Sequence, residues 1–253
     1  MIEIDLNADL GEGFGPYTFG SDEAILESIS SANIACGYHA GDPYQMRSTV
    51  ERCVDRGIAI GAHPGLPDRL GFGRREMKVT PEEASDYVLY QTGALQAFVR
   101  VAGGSLRHVK LHGALYHMAS TDEELARSIV RGVCRLDRSL LLFGLPGSFM
   151  ESAAREEGIA FVPEGFADRA YKPDGRLADR KLPGAVLHAE GQAEAQAVSL
   201  AVNKEAATID GTLVRLRVRT ICVHGDTPDA AERAARIRRA LIASSVTIRP
   251  PNR

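Results

Sequence analysis

The sequence predicts an α/β fold in which a ring of parallel strands alternates with helices. Short apolar runs recur along the chain, and each is followed by a polar cluster, then Gly or Pro, then an amphipathic helix. The runs are apolar on both faces, which is typical of parallel strands covered by helices. The length of 253 residues fits one α/β barrel of about 250 residues. We therefore expect a single barrel domain over residues 1–253.

Seven apolar runs are the candidate strands, which predicts an irregular barrel short of the usual eight. They are Ile2–Asn7, Ala32–Cys36, Ala59–Ala62, His108–Leu111, Leu140–Leu145, Ala160–Pro163 and Thr220–His224. Alternation of strands with helices implies right-handed crossovers within a parallel sheet. No GxGxxG pattern follows the first run, which disfavours a doubly wound nucleotide-binding sheet.

Helix start signals lie between the runs. Asp42-Pro43 places a capping carboxylate before a proline, although Asp42 is equally a candidate site residue. A capping box is predicted at Thr80–Glu83 and again at Thr121–Glu124, and Thr227-Pro228 predicts the start of the last helix. The long polar segment Gly165–Gly184 predicts a functional loop over the barrel mouth.

The composition excludes several classes of function. Apolar residues make up 44% and charged residues 25% with a net charge of −3, which suits a globular enzyme. No basic patch is interleaved with aromatic residues, so we expect no nucleic-acid partner. No apolar run approaches the roughly 18 residues of a membrane span, so we expect no membrane partner. The N-terminus turns acidic at once, so we expect no signal peptide. The four cysteines are scattered without a CxxC pair, which predicts reduced thiols in a cytoplasmic protein.

Polar clusters lie at the carboxyl ends of the predicted strands, where parallel α/β folds place their active sites. Residues two apart along a strand share a face, so Asn7 and Asp9 can point inward together, as can Lys110 and His112. One histidine at a strand end is usually structural, but several with acids at the same end favour a shared site. The candidates are Asn7, Asp9, Glu12, His39, Asp42, His63, Lys110, His112, Asp168, Arg169, His224 and Asp226.

Lys110 stands inside an apolar run, where a lysine is costly to bury unless it is paired. Paired with a carboxylate, it would hold a substrate carboxylate or a developing oxyanion. Desolvated instead, it would have a lowered pKa suited to base chemistry. Asp9, His39 and His63 are of the right type for a divalent metal, although no HxxxH or HExxH spacing is present. A metal therefore stays an open alternative.

Two glycine-rich stretches expose backbone N–H groups that suit anions: GEGFG at 11–15 and GFGRR at 71–75. Arg74 and Arg75 are candidates to bind a phosphate or a carboxylate, with a flexible loop carrying solvated arginines as the equal alternative. The sequence has no GxxxxGK[ST] motif, so any ATP used is not held by a P-loop.

Six stretches make the sequence recognisable: DLNADLGEGFG, SANIACGYHAGDP, GAHPGLPDRLGFGRR, VKLHGALYH, GFADRAYKPDGRLADRKLPGAV and ICVHGDTP. They resemble the lactam-utilisation family LamB/YcsF and appear in the family's order over most of the chain. The resemblance implies an irregular seven-stranded (β/α) barrel of the glycoside hydrolase/deacetylase type. It also implies cleavage of 5-oxo-L-proline to L-glutamate as the A subunit of a 5-oxoprolinase, with the B and C subunits as partners and ATP, with Mg²⁺, as co-substrate.

The chain departs from the family pattern at three positions beside these motifs. Leu111 replaces the proline before the motif histidine, His117 replaces an asparagine after the tyrosine, and Gly165 replaces the valine of EVFADR. All three flank polar motif residues without replacing one. We therefore expect local changes in backbone geometry and the same chemistry.

The implied reaction needs an activated substrate, because a five-membered lactam is a resonance-stabilised amide that water attacks slowly. Phosphorylation of the lactam oxygen would give an imidate-like electrophile. A carboxylate or a neutral imidazole would then activate water; the candidates are Asp9, Glu12, His39 and His63. Lys110 with His112 would stabilise charge on oxygen, and Arg169 would clamp the substrate carboxylate.

Two other functions fit the same residues. A metal-dependent deacetylase or amidohydrolase acting on a sugar-like substrate would share the barrel and its Asp and His side chains. A non-catalytic subunit would bind the substrate and leave the chemistry to its partners.

Overall fold

The computed structural model describes residues 1–17, 22–187, 189, 191–223 and 229–252. The strands in these ranges are β1 (Ile2–Leu10), β2 (Ser31–Ala35), β3 (Ala59–His63), β4 (Leu106–Lys110), β5 (Leu141–Gly144), β6 (Ala160–Phe166), β7 (Glu205–Ala207), β8 (Leu213–Arg215), β9 (Thr220–Val223) and β10 (Val246–Ile248). Strands β1 to β6 and β9 pair side by side in parallel, and the pairing of β1 with β9 closes the ring. The predicted seven-stranded parallel barrel is confirmed.

Helices follow most of the barrel strands and cover the outside. They are α1 (Asp22–Leu26), α2 (Pro43–Asp55), α3 (Pro81–Val101), α4 (Gly113–Thr121), α5 (Glu123–Leu136), α6 (Phe149–Glu157), α7 (Gln192–Val198) and α8 (Ala230–Ala243). A π-helical turn, Ser199–Asn203, continues α7. No helix in the described part of the chain is both long enough and apolar enough to cross a membrane.

The helix starts follow local capping chemistry. The Asp42 carboxylate caps α2 by accepting from the Gln45 N–H at 2.9 Å, and both bonds of the predicted capping box at Thr80–Glu83 are present. The second predicted box is wrong in its first residue: Thr121 ends α4, and Asp122 caps α5. The predicted start signal Thr227-Pro228 lies outside the described residues.

Three strands escaped prediction because three residues are too few to show a period. β7 and β8 form a small antiparallel hairpin, and β10 adds in parallel to the start of β1. β1 extends to Leu10, beyond its predicted end at Asn7, because the last residues pair with β2. This extension carries Asp9 into the barrel at its carboxyl end.

The barrel interior contains polar as well as apolar side chains. Near its amino-terminal end, the buried Asp5 carboxylate accepts hydrogen bonds from Ser30, Ser31 and Thr220. Burial raises the pKa of Asp5 to about 6, although these three hydroxyls oppose the shift. A buried acid of this kind reduces stability once it is ionised.

His108 lies in the middle of β4, two residues into the strand, rather than at its start. Its ring stacks on Phe143 with 4.1 Å between centroids, and its Nε2–H donates to Asn33 Oδ1 at 2.7 Å. Gly61 faces this ring so closely that a Cβ there would lie 2.1 Å from it. His108 therefore fills the barrel beneath the polar groups at the carboxyl end.

Candidate active site

Lys110 occupies the centre of the barrel at the carboxyl end of β4. Its ammonium is buried and lies 2.9 Å from Asp9 Oδ1 and 3.0 Å from Glu164 Oε1. It also donates to Asn7 Oδ1 at 3.2 Å and to the Cys222 sulfur at 3.0 Å. Burial opposes the charge, but Asp9, Cys222 and Glu164 together outweigh it and raise the pKa of Lys110 well above its usual value. The residue is therefore a fixed cation.

A layer of hydrogen bonds holds the two carboxylates against this cation. The Asn7 amide donates to Glu164 Oε1 at 3.0 Å, and the Tyr116 hydroxyl donates to Glu164 Oε2 at 2.9 Å. The Asn33 amide donates to Asp9 Oδ1 at 2.9 Å and to Asn7 Oδ1 at 2.7 Å. Because nearly every polar atom here is satisfied, the ion pair is rigid and well positioned.

Three imidazoles stand beside the ion pair. His63 is the last residue of β3 and His112 follows β4. Their nearest ring nitrogens, His63 Nε2 and His112 Nδ1, are 3.0 Å apart. The His39 ring stacks on His112 with 3.7 Å between centroids. Burial and the neighbouring imidazoles lower the pKa of His39 and of His112 well below the usual value. Both rings are therefore neutral at physiological pH.

Backbone carbonyls determine which nitrogen of two imidazoles carries the proton. His63 Nδ1 lies 2.8 Å from the Lys110 carbonyl, and His112 Nε2 lies 2.7 Å from the Phe72 carbonyl. A carbonyl only accepts, so each of these nitrogens must be an N–H donor. The predicted role of His112 as a donor to a substrate oxygen does not fit, because its one proton is already used.

The loop after β3 brings its backbone against the imidazoles. Phe72 has a left-handed φ of 54° although it is not glycine, and this conformation delivers its carbonyl to His112. At Gly73, a Cβ would lie 2.7 Å from His39 Cβ and 2.8 Å from His112 Cδ2. Only glycine leaves room for both rings at this position.

A buried glutamine of α3 holds a second glycine of this loop, Gly65, against the His39 ring. The Gln91 amide donates to the Gly65 carbonyl at 2.9 Å and accepts from the Gly65 N–H at 3.0 Å. This holds the Gly65 backbone against the His39 ring, where a Cβ would lie 2.6 Å from Nδ1. The loop is therefore braced from outside the barrel as well as from the site.

A cleft of about 840 Å³ opens above Lys110, His63 and His112. The loop after β6, which was predicted to lie over the mouth, supplies one side of it. Basic side chains outnumber acidic ones on its walls; the basic ones are Arg74, Arg75, Lys110, Arg169, Lys172, Arg180 and Lys181. The cleft therefore favours an anionic ligand.

Arg169 is the buried cation on the loop side of the cleft. One guanidinium nitrogen donates to the Ala178 carbonyl at 2.6 Å, while its buried Nε has no hydrogen-bond partner among the described residues. Burial and the nearby Arg180 lower the pKa of Arg169 to about 10, so it stays charged. An unsatisfied buried donor beside a cleft suits a carboxylate ligand.

Several predicted site residues lie outside the cleft or are already paired within it. Asp42 caps α2 and also accepts from the Gly15 N–H, so the structure assigns it to the loops rather than to the cleft. Asp168 lies against Arg233 of α8 at 3.8 Å and does not line the cleft. Asn7 lies below the ion pair as a hydrogen-bonding support. Arg75 lines the cleft but is paired with Asp68; His224 and Asp226 lie outside the described residues.

Several contributors were not among the candidate site residues chosen from the sequence, although Glu164 belongs to the polar cluster that follows the sixth predicted strand. Glu164, Tyr116, Asn33 and Cys222 all contact the ion pair or its partners. The inward face of β6 gave one signal, since Glu164 interrupts an apolar strand. Tyr116 lies inside a helix, where its spacing resembles that of a core residue.

Known proteins resemble the chain over its whole length. A family model described as LamB/YcsF matches residues 4–253. The A subunit of 5-oxoprolinase from Thermococcus onnurineus is 50% identical over 249 residues, covering 98% of each chain. The crystal structure of a lactam utilization protein from Thermus thermophilus has 43% identity and a TM-score of 0.93, covering 98% of this chain and 99% of that one.

A more distant likeness concerns the fold alone. The polysaccharide deacetylase Bc1974 from Bacillus cereus is 12% identical with a TM-score of 0.51, covering all of this chain and 93% of the other. The expected deacetylase-like (β/α) barrel is thereby confirmed.

Proposed function

The chain belongs to the LamB/YcsF family, and from this premise we propose that it acts as the A subunit of an ATP-dependent 5-oxoprolinase. In this function it hydrolyses the lactam bond of 5-oxo-L-proline and yields L-glutamate. The name of the relative from Thermococcus onnurineus supports the activity and the place in a multi-subunit enzyme. The B and C subunits are the proposed partners.

One observation carries the catalytic part of the proposal: the Lys110–Asp9 ion pair at the floor of a basic cleft. The N–H groups of the Lys110 ammonium are already engaged by Asp9, Asn7 and Cys222. Its fixed positive charge, rather than a direct hydrogen bond, therefore stabilises charge on the lactam oxygen. Asp9 also lines the cleft and lies 3.2 Å from His63 Nε2. We assign Asp9 as the group that takes a proton from the attacking water.

Substrate recognition follows from the charge of the cleft walls. The 5-oxo-L-proline carboxylate pairs with Arg169, whose buried Nε gains the partner it lacks within the described residues. ATP transfers its γ-phosphoryl group to the lactam oxygen and leaves as ADP, which makes the lactam carbon electrophilic. Water adds to that carbon, the C–N bond breaks as the ring nitrogen takes a proton, and hydrolysis of the resulting γ-glutamyl phosphate releases phosphate and L-glutamate. Arg74 and Arg75 both line the cleft and are the proposed phosphate contacts; Arg75 would have to leave its ion pair with Asp68 to bind phosphate.

A reconstituted enzyme of this chain with the B and C subunits tests the assignment of Asp9. Glutamate release and ATP hydrolysis are measured separately for wild type and Asp9→Asn. Asp86→Asn is the matched control, because Asp86 is exposed on α3. We expect Asp9→Asn to lower glutamate release by about 100-fold or more, in the range of general base catalysis, and the control to match wild type.

A folded Asp9→Asn variant that releases glutamate at the wild-type rate would contradict the catalytic assignment. It would favour the non-catalytic alternative, in which this chain only binds substrate. The deacetylase alternative is not proposed, because it rests on a likeness of fold.

A further inference from the structure

We propose that Glu12, His39, His63 and His112 form a site for one divalent transition-metal ion of the zinc and cobalt class. Their side chains are buried, and one ligand atom from each lies within 4.8 Å of the others. The inference concerns metal binding by this chain alone. It does not rest on the proposed lactam hydrolysis.

The hydrogen bonds of two imidazoles carry the argument. His63 donates its Nδ1–H to the Lys110 carbonyl, and His112 donates its Nε2–H to the Phe72 carbonyl. The other two ring nitrogens, His63 Nε2 and His112 Nδ1, then point at each other across 3.0 Å. A cation bound by both nitrogens would satisfy them together. Backbone carbonyls that fix the imidazole tautomer in this way are typical partners of metal-binding histidines.

His39 provides an independent observation. The residue is 1% exposed, and neither ring nitrogen has a hydrogen-bond partner among the described residues. Its Nε2 lies 3.5 Å from Glu12 Oε1. Buried polar atoms in native proteins nearly always have a partner, so an unsatisfied buried Nε2 beside the Glu12 carboxylate and two further imidazole nitrogens indicates a bound ion.

The spacing of these atoms fits coordination. Zinc binds imidazole nitrogen at about 2.0–2.1 Å, which places two ligands of a tetrahedral site about 3.4 Å apart. The separations here are 3.0 Å for His63–His112, 3.5 Å for His39–Glu12 and 3.8 Å for His112–Glu12. A small inward movement of side chains would complete the site.

The donor set selects the class of metal. Three imidazoles and one carboxylate suit zinc, cobalt and nickel, whereas Mg²⁺ prefers oxygen ligands. Asp9 borders the site: Lys110 and Asn33 hold its Oδ1, and its Oδ2 lies 3.2 Å from His63 Nε2. The group of four converging ligand atoms does not include it. This revises the candidate metal set Asp9, His39 and His63 by exchanging Asp9 for Glu12 and His112. A bound ion would polarise a substrate oxygen or acidify a water at the cleft floor.

Titration of the purified, chelator-treated chain with CoCl₂, ZnCl₂ and MgCl₂ tests the site. Calorimetry gives stoichiometry and affinity, and the intensity of the visible absorption of bound Co²⁺ reports its coordination geometry. The variants are Glu12→Gln and His63→Ala. His117→Asn is the matched control, because it removes an exposed histidine that follows His112 on α4. Circular dichroism and thermal unfolding check that every variant is folded.

We expect one Co²⁺ or Zn²⁺ per chain, a much weaker response to MgCl₂, and a rise of the melting temperature with ZnCl₂. Glu12→Gln and His63→Ala should each lower the affinity for Co²⁺ and Zn²⁺ by more than about 100-fold, which exceeds the loss typical when a residue hydrogen-bonded to a metal ligand is replaced. His117→Asn should bind both metals as wild type does. Absence of one-to-one binding by wild type would overturn the proposal, as would unchanged binding by folded Glu12→Gln and His63→Ala.

Discussion

Substitution of Gly73 by alanine tests whether the loop after β3 positions the imidazoles. Gly73 has φ +65°, and an added Cβ would meet His39 Cβ at 2.7 Å and His112 Cδ2 at 2.8 Å. Carbon atoms normally approach to about 3.5–4.0 Å, so each ring must move by close to 1 Å or the loop must lift. The substitution therefore changes the backbone energy and displaces two site residues.

A matched control separates these two effects. Gly103 has φ +77° and nothing within 4 Å of its added Cβ, so Gly103→Ala incurs only the left-handed backbone cost of about 1–2 kcal/mol. Gly73→Ala incurs a similar cost and about 1–3 kcal/mol of overpacking in addition. The difference corresponds to a melting temperature about 2 to 12 °C lower for Gly73→Ala than for the control.

The activity comparison is sharper than the stability comparison. Displacing site groups by 1 Å lowers turnover by about 100-fold, so Gly73→Ala should release glutamate far more slowly in the reconstituted enzyme while Gly103→Ala is unaffected. The measurements are thermal unfolding and the glutamate release rate at a temperature where both variants are folded. Equal stability and equal rates in the two variants would refute the claim that this loop positions the rings.

Three further predictions follow from the buried charges. Lys110→Met leaves the carboxylates of Asp9 and Glu164 without their cation, so urea unfolding should show a loss of about 3–5 kcal/mol; a loss below about 1 kcal/mol would contradict the ion-pair account. Arg169→Lys keeps the positive charge but loses the planar guanidinium that binds a carboxylate through two N–H groups. The KM for 5-oxo-L-proline should therefore rise about tenfold or more with kcat little changed. An unchanged KM would exclude the carboxylate contact. Burial raises the pKa of Asp5 from 3.8 to about 6. The folded state therefore binds this proton more tightly than the unfolded state, and wild type loses stability as pH rises from about 4 to about 6. Asp5→Asn removes that loss, and urea unfolding should show its stability relative to wild type improving by up to about 3 kcal/mol between pH 4 and pH 7; a difference independent of pH would contradict it.

The barrel could be predicted from sequence because its signals are local. Apolar runs, the proline and capping residues that start α2 and α3, and the polar ends of the strands each depend on neighbours within a few positions. The same locality explains the errors. β7, β8 and β10 are too short to show a period, and at Thr121-Asp122 two adjacent residues can both cap a helix, so packing decides between them.

The position of the site along the chain was determined by the sequence alone. Polar residues at the carboxyl ends of parallel strands converge in any closed barrel, so Asp9, His63, Lys110 and His112 were all identifiable as candidates. Their motifs also identified the family. Neither inference required knowledge of which atoms touch.

Only the tertiary structure decided what each group can do. Asp42 and Asp168 share the residue type and strand-end position of Asp9, yet one caps a helix and the other faces α8. Which ring nitrogen of His63 and of His112 donates a hydrogen bond depends on the carbonyls of Lys110 and Phe72, which lie 47 and 40 residues away. Hydrogen bonds and burial set the charge of a side chain, and both arise between segments that the linear sequence keeps apart.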